Sequence, residues 1–278
     1  MRIALKRLFY CKWYRLPREI VQNRRYSIFG LAADGLGWHY GNSMLEAACQ
    51  AVRGASRIAV LTGAGVSAES GIPTFRSNGG FWQNRRFEDL ATPQGFARDP
   101  KFVWQWYEER RRGIATTRPN AGHDALAAME KRATEFTLIT QNVDGLHDAA
   151  GSKNIIKLHG DIWIVRCLEC GIERSERGEL NDLPPRCLCG GLLRPGVVWF
   201  GEMLPEGEME RATADVRRAE VLIVAGTSAQ VYPAARLIPT AIESGAVVIE
   251  INPEATDFSG LVKFSLRGKS AEILPRLV

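Results

Sequence analysis

The sequence predicts an α/β fold, in which a doubly wound parallel sheet carries a smaller inserted domain. Four short apolar runs, at 57–62, 136–140, 221–225 and 247–251, alternate with segments of helical pattern. Each run ends in a polar or glycine-rich loop. In a parallel sheet of this kind, ligands bind where the carboxyl ends of the strands meet. The four loops therefore predict a single binding crevice.

Two segments interrupt the alternation of strands and helices. Residues 77 to about 120 have a helical pattern centred on FVWQWYEERRR, and residues 163–195 contain two cysteine pairs among prolines, glycines and charges. We interpret both as insertions that together form a smaller, helical and zinc-binding domain within a main domain spanning 44–278. A chain of 278 residues is long enough to bury a core of that size.

The charge of the chain is concentrated in its first 43 residues. The formal net charge is +5, but residues 1–43 hold eight basic and two acidic residues, so the remainder carries −1. A near-neutral body lacks the basic surface typical of nucleic-acid binding, and no apolar run is long enough to span a membrane. We therefore expect neither nucleic acid nor a membrane as a partner, and we expect a cytoplasmic monomer. Residues 1–43 are predicted to be a poorly ordered extension: a genuine tail, a mitochondrial transit peptide or an overlong gene start ahead of Met44.

Four of the six cysteines form two close pairs. Cys167 and Cys170 make a C-x-x-C motif, and after sixteen further residues Cys187 and Cys189 make a C-x-C motif. Four thiolates close a tetrahedral zinc site without leaving a position for substrate water, so the spacing predicts one structural Zn²⁺. A redox pair is the alternative, and the C-x-C spacing is tighter than that of a usual zinc knuckle.

A glycine-rich turn follows the first predicted strand. Residues 63–68 read GAGVSA, which fits the G-x-G-x-x-A pattern of loops whose backbone N–H groups approach a pyrophosphate. A tight strand-to-helix turn that binds no ligand would leave the same pattern. If the turn binds a dinucleotide, the predicted contacts are Gly63, Ala64, Gly65, Ser67 and Ala68.

The continuation of this turn, GAGVSAESGIPTFR at 63–76, resembles the glycine-rich signature of the sirtuin family. Further motifs of that family follow in its order and spacing: TQNVDGLH at 140–147, KLHGD at 157–161, VVWFGE at 197–202, GTSAQVYPAA at 226–235 and INPE at 251–254. The resemblance implies a Rossmann-like core, NAD as a consumed co-substrate and removal of acyl groups from lysines of protein substrates. Thr74 stands where the family commonly has aspartate, a departure that resembles its acidic-acyl branch and some bacterial relatives.

The resemblance also implies that His159, Asn142 and Asp144 are catalytic. Without it, a lone histidine is usually structural, and the sequence at 142–145 suits a turn stabilised by its own side chains. In sirtuins the acyl-lysine carbonyl oxygen attacks C1′ of the nicotinamide ribose, nicotinamide leaves, and the histidine activates a ribose hydroxyl. The implied products are nicotinamide, free lysine and O-acyl-ADP-ribose.

Other positions of these motifs are implied to contact NAD or the substrate. The acylated protein is expected to bind as an extended peptide that pairs with the 197–202 segment by β-augmentation, although that apolar run would also suit a core strand. The implied peptide contacts are Val198, Trp199, Phe200 and Gly201. The implied NAD contacts, besides the glycine turn, are Phe75, Arg76, Gln141, Asn142, Asp144, Gly226, Thr227, Ser228, Asn252 and Ala271.

Tyr107 and Arg110 bear on the choice of acyl group. They are three residues apart in a helical pattern, so they share a face and could offer a phenol and a guanidinium to one carboxylate. Charged neighbours on both sides of Arg110 also fit a solvated helix face. Tyr-x-x-Arg, together with the small Ala68, resembles the class III sirtuins, which remove succinyl, malonyl or glutaryl groups. We therefore predict a desuccinylase that retains deacetylation.

The sequence leaves two other functions open. A protein mono-ADP-ribosyltransferase would use the same reactive carbon of NAD, and mass analysis of the modified target distinguishes it from a deacylase. A non-catalytic reader of acyl-lysine and NAD or ADP-ribose would release no nicotinamide. His159, Asn142 and Asp144 argue against the reader, and the near-neutral body argues against a zinc ribbon that binds nucleic acid.

Overall fold

The computed structural model describes residues 12–13, 37–74, 81–82 and 85–278. Most of the predicted N-terminal extension, and the predicted NAD contacts Phe75 and Arg76, lie outside these residues. The strands are β1 Lys12–Trp13, β2 Arg57–Thr62, β3 Phe81–Trp82, β4 Arg85–Arg86, β5 Glu135–Thr140, β6 Ile155–Lys157, β7 Gly160–Cys167, β8 Glu173–Ser175, β9 Leu193–Val197, β10 Val221–Ala225, β11 Val231–Tyr232, β12 Val247–Ile251 and β13 Phe264–Leu266. The helices are α1 Gly37–Gly54, α2 Gly65–Ala68, α3 Phe87–Leu90, α4 Pro93–Arg98, α5 Pro100–Ala115, α6 Ala121–Arg132, α7 Leu146–Ala150, α8 Glu208–Arg218, α9 Leu237–Glu243 and α10 Ser270–Leu277, with a 3₁₀ turn at Ala234–Arg236.

Six parallel strands form the main sheet, in the order β13-β12-β10-β2-β5-β6. β10 is buried along its whole length, and β2 and β5 are buried after their first residue, because helices cover both faces of the sheet. This burial explains why the strands read as continuous apolar runs in the sequence. The predicted α/β fold is confirmed, and the short edge strands β6 and β13 extend the sheet beyond the four strands that were predicted.

Each face of the main sheet has its own hydrophobic core. Side chains alternate between the two faces along a strand, so Val60 belongs to one core and Leu61 to the other. α8 and α9 cover the core that contains Leu61, and α1, α6 and α10 cover the core that contains Val60. Among the residues that the structure describes, no helix is both long enough and apolar enough to cross a membrane.

A third core lies between α5 and a three-stranded antiparallel sheet, β8-β7-β9. Because α5 packs on β7 and β9, this core draws on both segments that interrupt the alternation of strands and helices in the sequence. α5 begins at a strong start signal, since Asp99 Oδ1 accepts from Phe102 N–H at 3.0 Å and Pro100 occupies the first turn. These signals fix the first residue of α5, whose buried apolar side chains pack into the third core.

A buried ion pair joins α5 to the loop after β8. Arg111 and Glu108 are 2% and 3% exposed, and their charged groups meet at 2.8 Å. The Arg111 guanidinium also donates to the carbonyl oxygens of Glu176 and Gly178, and Glu108 accepts from Leu180 N–H at 3.2 Å. Each of the two buried charges is thus compensated by the other and by this loop.

We expect Arg111→Met to lower the free energy of unfolding by about 3 kcal/mol, because it leaves the Glu108 carboxylate buried without its partner. Urea denaturation followed by tryptophan fluorescence measures the change. Arg112→Met is the matched control: the Arg112 side chain is 63% exposed and its ion pair with Glu179 is 3.9 Å long. Its loss should stay below about 0.5 kcal/mol. Equal losses in the two variants would contradict a stabilising role for the buried pair.

Candidate active site

The loops at the carboxyl ends of β2, β5, β10 and β12 line one cleft of about 630 Å³. Side chains of α5 and the segment at 197–200 complete its wall. The cleft lies where a parallel sheet is expected to bind its ligands. The predicted site residues that line it are Gly63, Ala64, Gly65, Ser67, Ala68, Tyr107, Arg110, Gln141, Asn142, Asp144, His159, Val198, Phe200, Gly226, Thr227, Ser228 and Asn252.

Three predicted contacts do not line this cleft. Trp199 is 1% exposed and lies in the third core, because side chains of an extended segment alternate and its neighbours face the cleft. Gly201 lies in an exposed turn with a φ of 87°. Ala271 donates its backbone N–H to Glu69 Oε2 at 2.9 Å, and it is Glu69 that lines the cleft.

Glycines let the loop after β2 touch the loop after β10. Gly63 N–H donates to Ala225 O at 3.2 Å, and Gly65 N–H donates to Gly226 O at 2.8 Å. A Cβ on Gly65 would lie 2.7 Å from that oxygen, and a Cβ on Gly226, whose φ is 59°, would lie 2.4 Å from Val66 N. The glycine pattern therefore serves the contact between two loops, a reason that the sequence pattern alone does not reveal.

His159 lies in the turn between β6 and β7. Its Nδ1 is 3.1 Å from Gln141 O. Since a carbonyl oxygen can only accept, the neutral ring carries its proton on Nδ1, and Nε2 is the basic nitrogen. Burial lowers the pKa of His159 against the opposing effect of the hydrogen bond to Gln141. At neutral pH the ring is therefore unprotonated at Nε2, as a general base requires.

Asp144 and Asn142 share a hydrogen-bond network with Ser67. Ser67 Oγ donates to Asp144 Oδ2 at 2.8 Å and accepts from Asn142 Nδ2 at 3.2 Å, and Leu146 N–H donates to Asp144 Oδ1 at 2.9 Å. Burial raises the pKa of Asp144 against the opposing effects of Leu146, Ser67 and the charge of Arg110. The network fixes the side chains of three predicted site residues relative to one another.

Two buried histidines lie beside this network, with their rings packed against each other, and sequence reasoning missed both. Asn120 N–H donates to His123 Nδ1 at 3.3 Å, so the neutral ring carries its proton on Nε2, which lies 3.3 Å from Ser67 Oγ. His147 Nε2 lies 3.0 Å from Thr62 Oγ1. Burial lowers the pKa of His123 to about 4 and that of His147 to about 3, so both rings are neutral. The available signal was that the chain has only four histidines and that His147 ends the TQNVDGLH motif.

Tyr107 and Arg110 of α5 both line the cleft, whereas Glu109 and Arg112 on the same helix are exposed. Tyr107 Oη accepts a hydrogen bond from Trp199 Nε1 at 3.0 Å. Burial raises the pKa of Tyr107 to about 12, so the side chain stays a neutral phenol. Burial lowers the pKa of Arg110, and the charge of Asp144 is among the effects that oppose this. A solvated helix face does not describe these two positions.

The four predicted metal ligands form one cluster, in which all four Sγ atoms lie within 4.8 Å of one another. Cys167 Sγ is 3.5 Å from Cys189 Sγ, and Cys170 Sγ is 3.7 Å from Cys187 Sγ. Thiolates around a tetrahedral zinc with bonds of about 2.3 Å are separated by roughly 3.8 Å, so the arrangement fits zinc. The tight C-x-C pair contributes both of its sulfurs. None of these cysteines lines the cleft.

Comparison with known proteins identifies the family. A family model described as the Sir2 family matches residues 63–233, which is more than half of the chain. The chain belongs to the Sir2 family. An "NAD-dependent protein deacylase" of Aquifex aeolicus is 54% identical over 222 residues, covering 79% of this chain and 93% of that protein.

Solved Sir2 structures have the same fold as this chain. A complex of a Sir2 homologue with NAD is 48% identical, with a TM-score of 0.80, and the match covers 84% of this chain and 91% of that one. A Sir2 variant in complex with a deacetylated p53 peptide and 3′-O-acetyl ADP-ribose is 29% identical, with a TM-score of 0.77 and coverage of 84% and 96%. The sirtuin resemblance of the sequence is thereby confirmed at the level of the family.

We expect the zinc-replete protein to hold about one Zn²⁺ per chain and Cys170→Ser to hold less than about half of that, because three thiolates leave the tetrahedral site open. Metal analysis by mass spectrometry measures the content. The melting temperature of Cys170→Ser should fall as well, since metal binding stabilises the folded state. Cys49→Ser is the control, because Cys49 donates to Arg276 O and is far from the cluster in sequence. This variant should keep the wild-type zinc content. Full zinc content in Cys170→Ser would contradict the four-thiolate site.

Proposed function

We propose that this Sir2-family chain is an NAD-dependent protein-lysine deacylase that prefers succinyl- and malonyl-type groups and also removes acetyl groups. The observation that carries the deacylase activity is His159, a neutral base with a fixed tautomer that lines the same cleft as the glycine turn. The name of the Aquifex aeolicus relative and the NAD complex of a Sir2 homologue support this assignment.

Different residues of the cleft would have different roles in the reaction. NAD, as the consumed co-substrate, supplies a ribose carbon from which nicotinamide leaves. The glycine turn and the loops at 226–228 and 252 would hold the dinucleotide, and Asn142 and Asp144 would hold ribose hydroxyls. Once the acyl oxygen has bonded to the sugar carbon, His159 Nε2 would take the proton of a ribose hydroxyl, which then attacks the acyl carbon. A water molecule would add to that carbon and supply the carbonyl oxygen of the ester, while the lysine amine leaves. The products are nicotinamide, free lysine and O-acyl-ADP-ribose.

The zinc cluster has a different task. With four thiolates bound, Zn²⁺ would have no position for water or substrate. We therefore assign Cys167, Cys170, Cys187 and Cys189 to holding a structural ion that links the end of β7 to the segment before β9.

The preference for acidic acyl groups rests on the wall formed by α5. Tyr107 offers a phenol proton and Arg110 a guanidinium, and both line the cleft. A carboxylate at the end of an acyl chain is the ligand that matches this pair. Ala68, the last residue of α2, lines the same cleft and has a small side chain that leaves room for a chain longer than acetyl.

The peptide would bind along residues 198–200. The N–H groups of Val198 and Phe200 already donate to His159 O and Ala91 O, and the N–H of Trp199 donates to Glu202. An extended peptide would therefore donate its own N–H groups to carbonyl oxygens of this segment. Recognition through the main chain makes selectivity for the sequence around the lysine modest.

We expect His159→Asn to reduce NAD-dependent nicotinamide release from a succinyl-lysine peptide by at least about 100-fold, because the variant has no base at this position. Calorimetric titration with ADP-ribose is the control, and its affinity should change less than about threefold. As the pH is lowered, the wild-type kcat/KM should stay constant down to pH 6.5 and decline only at lower pH. The reason is that the pKa of His159 is lowered in the folded protein, so its base form persists at pH 6.5. Native turnover by His159→Asn would refute the proposed base.

We expect Arg110→Met to lower kcat/KM for a succinyl-lysine peptide by about tenfold or more, because the loss of a charge-assisted hydrogen bond has an effect of this size. The kcat/KM for the acetyl-lysine peptide of the same sequence should change much less. Arg112→Met, an exposed position on the same helix, should leave the ratio of the two activities at the wild-type value. An equal loss for both acyl groups in Arg110→Met would rule out the carboxylate clamp.

A further inference from the structure

The structure assigns Trp199 as a positioning residue for acyl selectivity: its indole N–H binds Tyr107 Oη and so directs the phenol proton of Tyr107 into the cleft. This inference rests on the proposed preference for acidic acyl groups. It gives a role to a tryptophan that the sequence motif suggested as a peptide contact and that the structure places behind the cleft wall.

The direction of the hydrogen bond follows from chemistry. An indole N–H can only donate, so at 3.0 Å Tyr107 Oη must be the acceptor. One side of the phenol oxygen is then occupied, and the phenol proton must point elsewhere. Tyr107 is 2% exposed and lines the cleft, so the cleft is where an incoming group can accept that proton.

An ion pair holds both the ring and the backbone of Trp199. The guanidinium of Arg194 lies 3.4 Å from the centroid of the Trp199 ring. Arg194 makes two bonds to the Glu202 carboxylate, at 2.5 and 2.9 Å, and Glu202 Oε2 accepts the Trp199 backbone N–H at 2.8 Å. Arg194 also donates to Val197 O at 2.8 Å. The Arg194 side chain is 3% exposed and that of Glu202 is 21% exposed, so the ring packs against a largely buried ion pair, and turning its N–H away from Tyr107 would disturb this packing.

The consequence depends on the acyl group. A succinyl or malonyl chain ends in a carboxylate, which would accept the directed phenol proton beside the guanidinium of Arg110. An acetyl group has no carboxylate and makes no such bond. Loss of the indole N–H should therefore weaken acidic acyl groups relative to acetyl.

Trp199→Phe in the full chain tests this inference, because phenylalanine keeps an aromatic face for Arg194 and removes the N–H. The measured quantity is the ratio of kcat/KM for succinyl-lysine and acetyl-lysine peptides of one sequence. We expect the ratio to fall about fivefold, the effect of one typical hydrogen bond, mainly through KM for the succinyl peptide. A ratio obtained from one preparation does not depend on the fraction of folded protein. In a Tyr107→Phe background, Trp199→Phe should cause no further fall, because the two residues act through one bond.

Trp104→Phe is the matched control. Trp104 is fully buried in the same core, and its Nε1 donates to Leu193 O at 2.8 Å, so the variant loses an equivalent bond that does not reach Tyr107. Its ratio should match that of the wild type. An equal fall in Trp104→Phe, or a fivefold fall that persists in the Tyr107→Phe background, would overturn the positioning role.

Arg110→Met in the same assay separates this inference from the proposed function on which it rests. If the ratio falls in Arg110→Met and not in Trp199→Phe, the role of Trp199 is overturned and the acidic preference stands. If it falls in neither, both are overturned. A fall in both variants, with the control unchanged, supports both.

Discussion

The cleft depends on the close approach of two backbone loops. β2 and β10 are hydrogen-bonded neighbours, so the loops that leave their carboxyl ends start about 4.8 Å apart. The glycines at 63, 65 and 226 let these loops stay in contact beyond the sheet, where any Cβ would collide with backbone atoms. Because the loops do not diverge, Ser67 and Thr227 lie against the same cleft, and Gln141 Nε2 reaches Thr227 Oγ1 at 3.1 Å. Three strand ends are thereby joined into one wall.

Several polar groups in this wall are buried and need hydrogen-bond partners. This need explains why neutral histidines lie around the wall. A buried charge without a partner is costly, whereas a neutral imidazole can donate on one side and accept on the other. His123 does so between Asn120 and Ser67. The side chains around Asp144 are therefore linked by hydrogen bonds to one another and to the backbone. A hydrogen-bonded network of this kind would suit the proposed binding of ribose hydroxyls better than exposed side chains would.

Much of the fold could be predicted because burial on both faces makes the central strands apolar throughout, as in β10. The cleft could be predicted because polar loops follow the strands in the sequence, and the cysteine cluster could be predicted from the spacing of the four cysteines. Contacts between distant residues could not be predicted: Trp199 and Tyr107 are 92 positions apart, and Arg111 reaches a loop 65 positions away. Trp199 points away from the cleft because side chains alternate along residues 197–200, and this orientation could be determined only from the backbone path of that segment. No pattern in the sequence specifies such pairings, because they depend on how the third core is assembled.

In the proposed preference for acidic acyl groups, the orientation of the donors would matter more than net charge. Arg110 and Asp144 each shift the pKa of the other toward the charged form, so the positive charge in the wall already has a negative neighbour. A ligand carboxylate attracted by Arg110 is also repelled by Asp144, and the two long-range effects oppose each other. What remains specific is the short-range match between a carboxylate and two directed donors, the guanidinium and the phenol. A phenol rotor that could point in either direction would lose part of that match, and in the role proposed for Trp199 its indole N–H would remove this freedom before the substrate arrives.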